Sequence, residues 1–336
     1  MRAPSASIIG SDAGRPPGRP VRTVRFEADR SLGALFIRHP GEFSEAAWER
    51  FGDAWGTVTL PAEQSLRLKV TISEMASTDL SPLGRLQPND LQSLRLEYTA
   101  TTDEEMAHLR ELTGLWELDL KATPITDAGL RHLSRLTGLV ELGLWETPVT
   151  DQGVTALREL THIRELDLGM TRLTSAGLAH LEQMTGLQRL SVGGTRIGDA
   201  GLEHLQHLTR LEGLFLGGTK ITGAGLAHLR SLTALRRIAL AATAVGDAGF
   251  AHIRNLPSLQ WLYAGGTLIS DAGLSSLAEL PALQWLYLPG TALTDAGLTH
   301  LARLTALKEL DLRDTGISPA GLERLKQALP GCFIIQ

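Results

Sequence analysis

Residues Leu118 to Leu142 read LDLKATPITDAGLRHLSRLTGLVEL, one full period of a pattern that returns every 24 residues. Leu94, Leu118, Leu142, Leu166, Leu190, Leu214, Ile238, Leu262, Leu286 and Leu310 mark the same point in ten successive units. Self-similarity at such a period is the mark of stacked units, each of which buries its apolar face only against its neighbours. Within one unit Leu118 and Leu120 alternate with polar residues, which places them on the inner face of a short strand and leaves Trp116, Glu117, Asp119 and Lys121 outside the core. Thr126-Asp127-Ala128-Gly129-Leu130 then reads as a helix start, with Thr126 as the cap and Asp127 at the positive end. Ser318-Pro319 supports the same assignment, because proline is favoured at the first helical position after a serine cap. Strand, corner, short helix and return loop make one coil.

The spacing LxxLxLxxT resembles the leucine-rich repeat, in the helix-backed varieties of the ribonuclease-inhibitor and F-box receptor kinds, over residues 89–336. The resemblance implies an α/β fold: a right-handed leucine-rich-repeat solenoid with a parallel concave sheet and convex helices. Its usual corner asparagine or cysteine is replaced here by a threonine in every unit, Thr99 through Thr315. A hydroxyl both donates and accepts, so this ladder is read as satisfying buried backbone groups where each coil leaves its strand. Nine units carry glycine inside the helix, Gly129 to Gly321. Each costs about 1 kcal/mol relative to alanine, and close approach of the preceding unit's helix is the expected reason. The first unit has Glu105 there, in a capping box with Thr102, and is expected to lack a preceding helix.

Outside the repeats, residues 1–20 are rich in glycine, proline and arginine and read as a disordered leader. Residues 21–88 read as a small α+β N-terminal capping unit. Strands are expected near Val24, Leu35–Ile37, Gly56–Leu60 and Leu66–Ile72, with a helix capped by Ser44 whose Trp48, Phe51 and Trp55 share a face. Val70 and Ile72 fall 24 residues before Leu94 and Leu96 and so read as a degenerate first coil. Beyond the last helix, residues 332–335 are expected to add one final strand.

A net charge of -5 argues against nonspecific binding to nucleic acid or anionic membrane. The one cysteine, Cys332, leaves neither a disulfide framework nor a cysteine-rich metal site, and no apolar run reaches membrane-spanning length. These features lead to an expectation of a cytoplasmic chain, monomeric by default, with no cofactor. No HExxH, GxSxG, phosphate-binding loop or zinc-ligand spacing is present, so no catalytic or metal residue is expected. His108, His132, His180, His204, His228, His252 and His300 form a column one residue before a buried leucine, and read as helix-packing residues.

The informative variation lies at outward strand positions. These are acidic early in the array, at Glu141 and Asp167 with Trp145 among them, and then small, with Arg189, Phe215 and Arg237 interspersed. Last come two Trp-x-Tyr pairs, Trp261 with Tyr263 and Trp285 with Tyr287. The expected function is a non-enzymatic module binding a protein partner on this concave face, with the paired aromatics as anchors. Carbohydrate or small-ligand stacking on the same patch, and a scaffold without a discrete ligand, are the alternatives from other classes.

Overall fold

The computed structural model describes residues 8–9, 20–26, 31–42, 44–70 and 78–336. It comprises two compact units, Met1–Val149 and Thr150–Gln336. In the first, strands β1 (Ile8–Ile9), β2 (Val21–Arg25), β3 (Ala34–Arg38), β4 (Glu49–Asp53), β5 (Thr57–Pro61) and β6 (Ser65–Lys69) precede β7 (Ser93–Arg95), β8 (Glu117–Asp119) and β9 (Glu141–Gly143). β5 pairs with β1 in parallel and with β2 antiparallel. A second sheet runs β4-β3-β6-β7-β8-β9, antiparallel as far as β6 and parallel from there on. Strands before the repeats and strands of the repeats therefore share one sheet.

Several expectations for this unit are corrected. Within the segment read as a disordered leader, Ile8–Ile9 is described as a two-residue strand paired with β5. Residues 1–7 and 10–19 of that segment lie outside the described residues. The helix expected after Ser44 is a single 3-10 turn, Glu45–Ala47, and Ser44 makes no side-chain cap. Phe51 lies on β4, which pairs with β3 instead. A short segment containing Gly52 and Asp53 has little helical preference of its own, while the open edge of β3 offers it a ladder of hydrogen bonds.

The first coil is also displaced: β6 pairs with β7 through Leu68↔Leu94, a separation of 26 residues, so Val70 is not the partner of Leu94. Ile72 lies outside the described residues. The Glu105 carboxylate accepts the Leu80 N–H, not a bond within a capping box, and the 3-10 helix Ser81–Arg85 precedes Glu105–Leu109 where no neighbour was expected.

In the second unit, β10 (Glu165–Asp167), β11 (Arg189–Ser191), β12 (Gly213–Phe215), β13 (Arg237–Ala239), β14 (Trp261–Tyr263), β15 (Trp285–Tyr287), β16 (Glu309–Asp311) and β17 (Phe333–Ile335) form a wholly parallel sheet in sequence order. From β10 to β17 each residue pairs with the one 24 positions on, as in Leu262↔Leu286 and Leu310↔Ile334. Each coil buries its repeat leucines, and those of the central coils are fully excluded from solvent.

Three features set one coil's path. All ten corner threonines donate Oγ1 to the carbonyl three residues earlier at 2.6–2.7 Å, so each closes its own coil and none bridges two. The residue before each threonine has positive φ; it is glycine in four coils, such as Gly266, and a larger residue such as Ala242 in the others. Third, an aspartate at the helix start reaches into the next coil. Asp103, Asp151, Asp199, Asp247, Asp271 and Asp295 accept both the N–H and the hydroxyl of Thr126, Thr174, Thr222, Ser270, Thr294 and Ser318 respectively.

The aspartate link explains most of the helical glycines. A Cβ on Gly129 or Gly225 would lie 2.5 Å from the Oδ1 of Asp103 or Asp199. Where the aspartate is replaced by Gly223, backbone takes its place, and a Cβ on Gly249 would lie 2.6 Å from the Gly223 Cα. Close approach of the preceding helix is thus the reason for the glycines, with a carboxylate as the usual contact.

Candidate functional site

The parallel register of β14 and β15 sets Trp261 beside Trp285 and Tyr263 beside Tyr287. Leu262 and Leu286, between them, are fully buried, so alternation turns all four aromatic side chains to the other face, where they are half-buried. The rings do not stack in parallel along the register. Trp261 meets Tyr287 diagonally at 5.8 Å between centroids and its strand neighbour Tyr263 at 6.1 Å, with interplanar angles of 50° and 38°. Tyr263 and Tyr287 meet edge to face at 5.9 Å and 73°. Trp285 lies outside this ring cluster and instead carries the Lys308 ammonium, 5.1 Å from its centroid.

Phe215 extends the cluster from β12, 6.3 Å from Trp261. Its ring lies across Gly213, where a Cβ would come within 3.3 Å of it. The Arg189 guanidinium sits 5.7 Å from the Phe215 ring and pairs with Glu165 at 3.3 Å. Arg237, on the strand next to Trp261, is exposed and has no carboxylate partner among the described residues. Together Arg189, Phe215, Arg237, Gln260, Trp261, Trp285 and Tyr287 enclose a groove of about 430 Å³. Burial, and then the neighbouring Glu309 carboxylate, push the Tyr287 hydroxyl above its usual range, so it stays a neutral donor and acceptor at physiological pH.

Seven of the ten residues expected at the site are thus brought together on one unit, Tyr263 by ring contact and six by lining the groove. The other three are not among the lining residues. Glu141 and Trp145 belong to the Met1–Val149 unit, and Asp167 spends one carboxylate oxygen on the Gly169 N–H at 3.1 Å. Gln260 and Lys308 were missed; each stands one residue before an outward strand position or its equivalent, where the leucine pattern carries no signal.

The acidic zone is itself corrected at its start. Glu117, expected outside the core, is only 4% exposed. Buried Arg67 donates to it at 2.6 Å and Arg95 at 2.9 Å, while Ser93 adds a hydroxyl at 2.9 Å. Both arginines also pair with Glu45. Burial pushes the Glu117 carboxyl up, but the two guanidiniums outweigh it and hold it below the usual carboxylate range. Above this cluster Trp48 and Trp116 stack at 6.2 Å and 21°, with the Arg38 guanidinium 4.6 Å from both rings. The residues ahead of the repeats thus close this part of the strand face, which is why the sequence pattern of one coil misplaces Glu117.

In the histidine column, Arg110 donates to His132 at 2.8 Å, Arg158 lies 2.6 Å from His180, and His204 pairs with Glu182. No group of three or more histidine, cysteine, aspartate or glutamate side chains among the described residues is placed to hold a metal ion. No helix among them is long and apolar enough to cross a membrane.

A leucine-rich-repeat family model matches residues 304–326, one coil of the register that runs through the parallel strands. This is a leucine-rich-repeat protein. No curated protein matches its sequence. Among solved structures it is similar to an internalin (inlF) from Listeria monocytogenes, with 25% identity, a TM-score of 0.52, and coverage of 68% of this chain and 75% of that one. It also shares the fold of the plant peptide hormone receptor RGFR1, solved in complex with RGF2, with 18% identity, a TM-score of 0.52, and coverage of 82% of this chain and 47% of that one.

Proposed function

We propose that this leucine-rich-repeat protein is a non-enzymatic interaction module that holds a protein partner on the strand face of Thr150–Gln336, at the groove beside Trp261. The observation that supports it is the aromatic cluster itself. Leu262, Leu286 and Leu288 already fill the interior, so folding has no need of four more aromatic side chains on the outer face. Rings locked against one another lose little entropy on binding, and tryptophan and tyrosine are the side chains that most often carry interface energy. Arg237, without a hydrogen bond or ion pair from its side chain among the described residues, adds a charge that selects among partners. The complex of the plant receptor with RGF2 is a leucine-rich-repeat fold engaged in the same general task. A cytoplasmic setting is part of the proposal and rests on the single cysteine.

The test is affinity capture by the intact chain, followed by titration of the captured partner against a Trp261→Ala, Trp285→Ala double variant. Two central anchors at about 2 kcal/mol each predict a loss of at least a hundredfold. A folded double variant that binds at wild-type affinity refutes the site. Capture of glycans in place of any protein refutes the class.

A further inference from the structure

The helix side of Thr150–Gln336 holds a second depression, of about 420 Å³, lined by Ala227, Arg230, Ala251, His252, Arg254 and Asn255. Two arginines, a histidine and an asparagine, all exposed, are among its lining residues, and no aspartate or glutamate is. Equivalent arginines elsewhere in the array are engaged: Arg110 and Arg158 each bond the histidine 22 residues on. Arg230 and His252 have that spacing too. Yet neither of them, nor Arg254 or Asn255, has a side-chain hydrogen bond or ion pair among the described residues.

The repeat position of Arg230 and Arg254 holds Glu182 and Gln206 in the two coils before and Ala278 in the coil after. Only here do two arginines follow each other at it. Like charges on neighbouring coils repel, and neither guanidinium has a carboxylate partner among the described residues. A bound oxyanion would offset them. The guanidinium fork matches carboxylate and phosphate oxygens two at a time. Two forks with an amide and an imidazole supply more donors than one carboxylate can accept, and suit the three free oxygens of a phosphate monoester. At about 420 Å³ the depression is much larger than a phosphate group, so it has room for the moiety that bears it.

We propose that this depression is a binding site for a phosphate monoester, held between Arg230 and Arg254. The site is independent of the aromatic groove. Calorimetric titration of the full chain at low salt with inorganic phosphate, O-phosphoserine, a phosphoserine peptide and acetate tests it. Phosphate and O-phosphoserine are expected to bind at least about tenfold more tightly than acetate. Arg230→Ala and Arg254→Ala are each expected to weaken them at least about tenfold. Arg254→Lys, which keeps the charge and loses the fork, weakens them as well, and Arg158→Ala changes nothing. A phosphopeptide that outbinds O-phosphoserine identifies a phosphorylated protein as the source, and equal binding identifies a small phosphorylated molecule. Acetate binding as well as phosphate, no phosphate binding below about 10 mM, or wild-type binding by folded Arg230→Ala and Arg254→Ala variants overturns the proposal.

Discussion

The link between Asp247 and Ser270 joins two successive coils and is open to a direct energetic test. Asp247 accepts the Ser270 N–H at 2.7 Å and its hydroxyl at 2.6 Å. Hydrogen bonds to a charged group are worth about 1.5–3 kcal/mol when buried. Both residues here are half-buried, which lowers that to about 1 kcal/mol apiece. Asp247→Gly also removes a negative charge from a helix start, about 0.5 kcal/mol, for a total near 2–3 kcal/mol. Ser270→Gly removes the hydroxyl partner and a weak cap to the Ala272 N–H at 3.4 Å, for about 1–2 kcal/mol. The hydroxyl bond is lost only once in the double variant, so its cost should fall short of the sum of the two single costs by about 1 kcal/mol. Glycine is the informative replacement because the chain already contains that pair, Gly223 followed by Gly246. Urea unfolding of the four proteins, followed by far-UV circular dichroism, gives the cycle. Additivity within about 0.3 kcal/mol would mean that the contact contributes nothing to holding the coils together.

Thr219→Val keeps the side chain's shape but leaves the Leu216 carbonyl without the hydroxyl that donates to it at 2.6 Å, and should cost about 1–3 kcal/mol by chemical denaturation; unchanged stability contradicts the role of the ladder. Arg67→Ala leaves the buried Glu117 with only part of its compensation, and a loss of about 3 kcal/mol is expected in the Met1–Val149 unit. Glu117 also predicts a pH dependence. Its folded carboxyl is held low, so its contribution is complete above the unfolded value of about 4.3 and is lost as pH falls from there through the folded one. Urea titrations between pH 7 and pH 3 should show that acid limb, and Glu117→Gln should flatten it.

How much of this was legible in the sequence depends on which signal each feature left. The strands, the corner threonines and the caps at Thr126 and Ser318 recur at a fixed place in the coil, and the structure has them there. The register of β6 left no such mark. Leu66, Leu68, Val70 and Ile72 alternate evenly, and a slip of two residues keeps every side chain on its face, so periodicity alone cannot choose between Leu68 and Val70 as the partner of Leu94. Trp48, Phe51 and Trp55 failed for a related reason: three aromatics at helical spacing say nothing about whether the chain between them prefers a strand edge. Glu117 was misplaced because its burial comes from Arg67, fifty residues earlier in the chain and outside the repeat.

The candidate sites were legible to the extent that they break the repeat, but a break is informative only when read against the next coil. Ser175 and Gly223 interrupt the aspartate series, and each is answered one coil later by a glycine, Gly198 or Gly246, where the serine or threonine partner otherwise stands. Such paired departures preserve the contact between coils, as when Ser175 receives the Gly198 N–H at 3.0 Å, and they carry no functional meaning. Trp261 and Trp285 depart from the pattern without such an answer. Beside them Arg237 has no ion pair among the described residues, and on the helix side Arg230 and Arg254 have none either. Stability within the array does not account for departures left uncompensated by a neighbouring coil. The proposed protein partner at the aromatic groove and the proposed anion between the two arginines would each supply the complement, and on both faces substitution is expected to change binding before it changes folding.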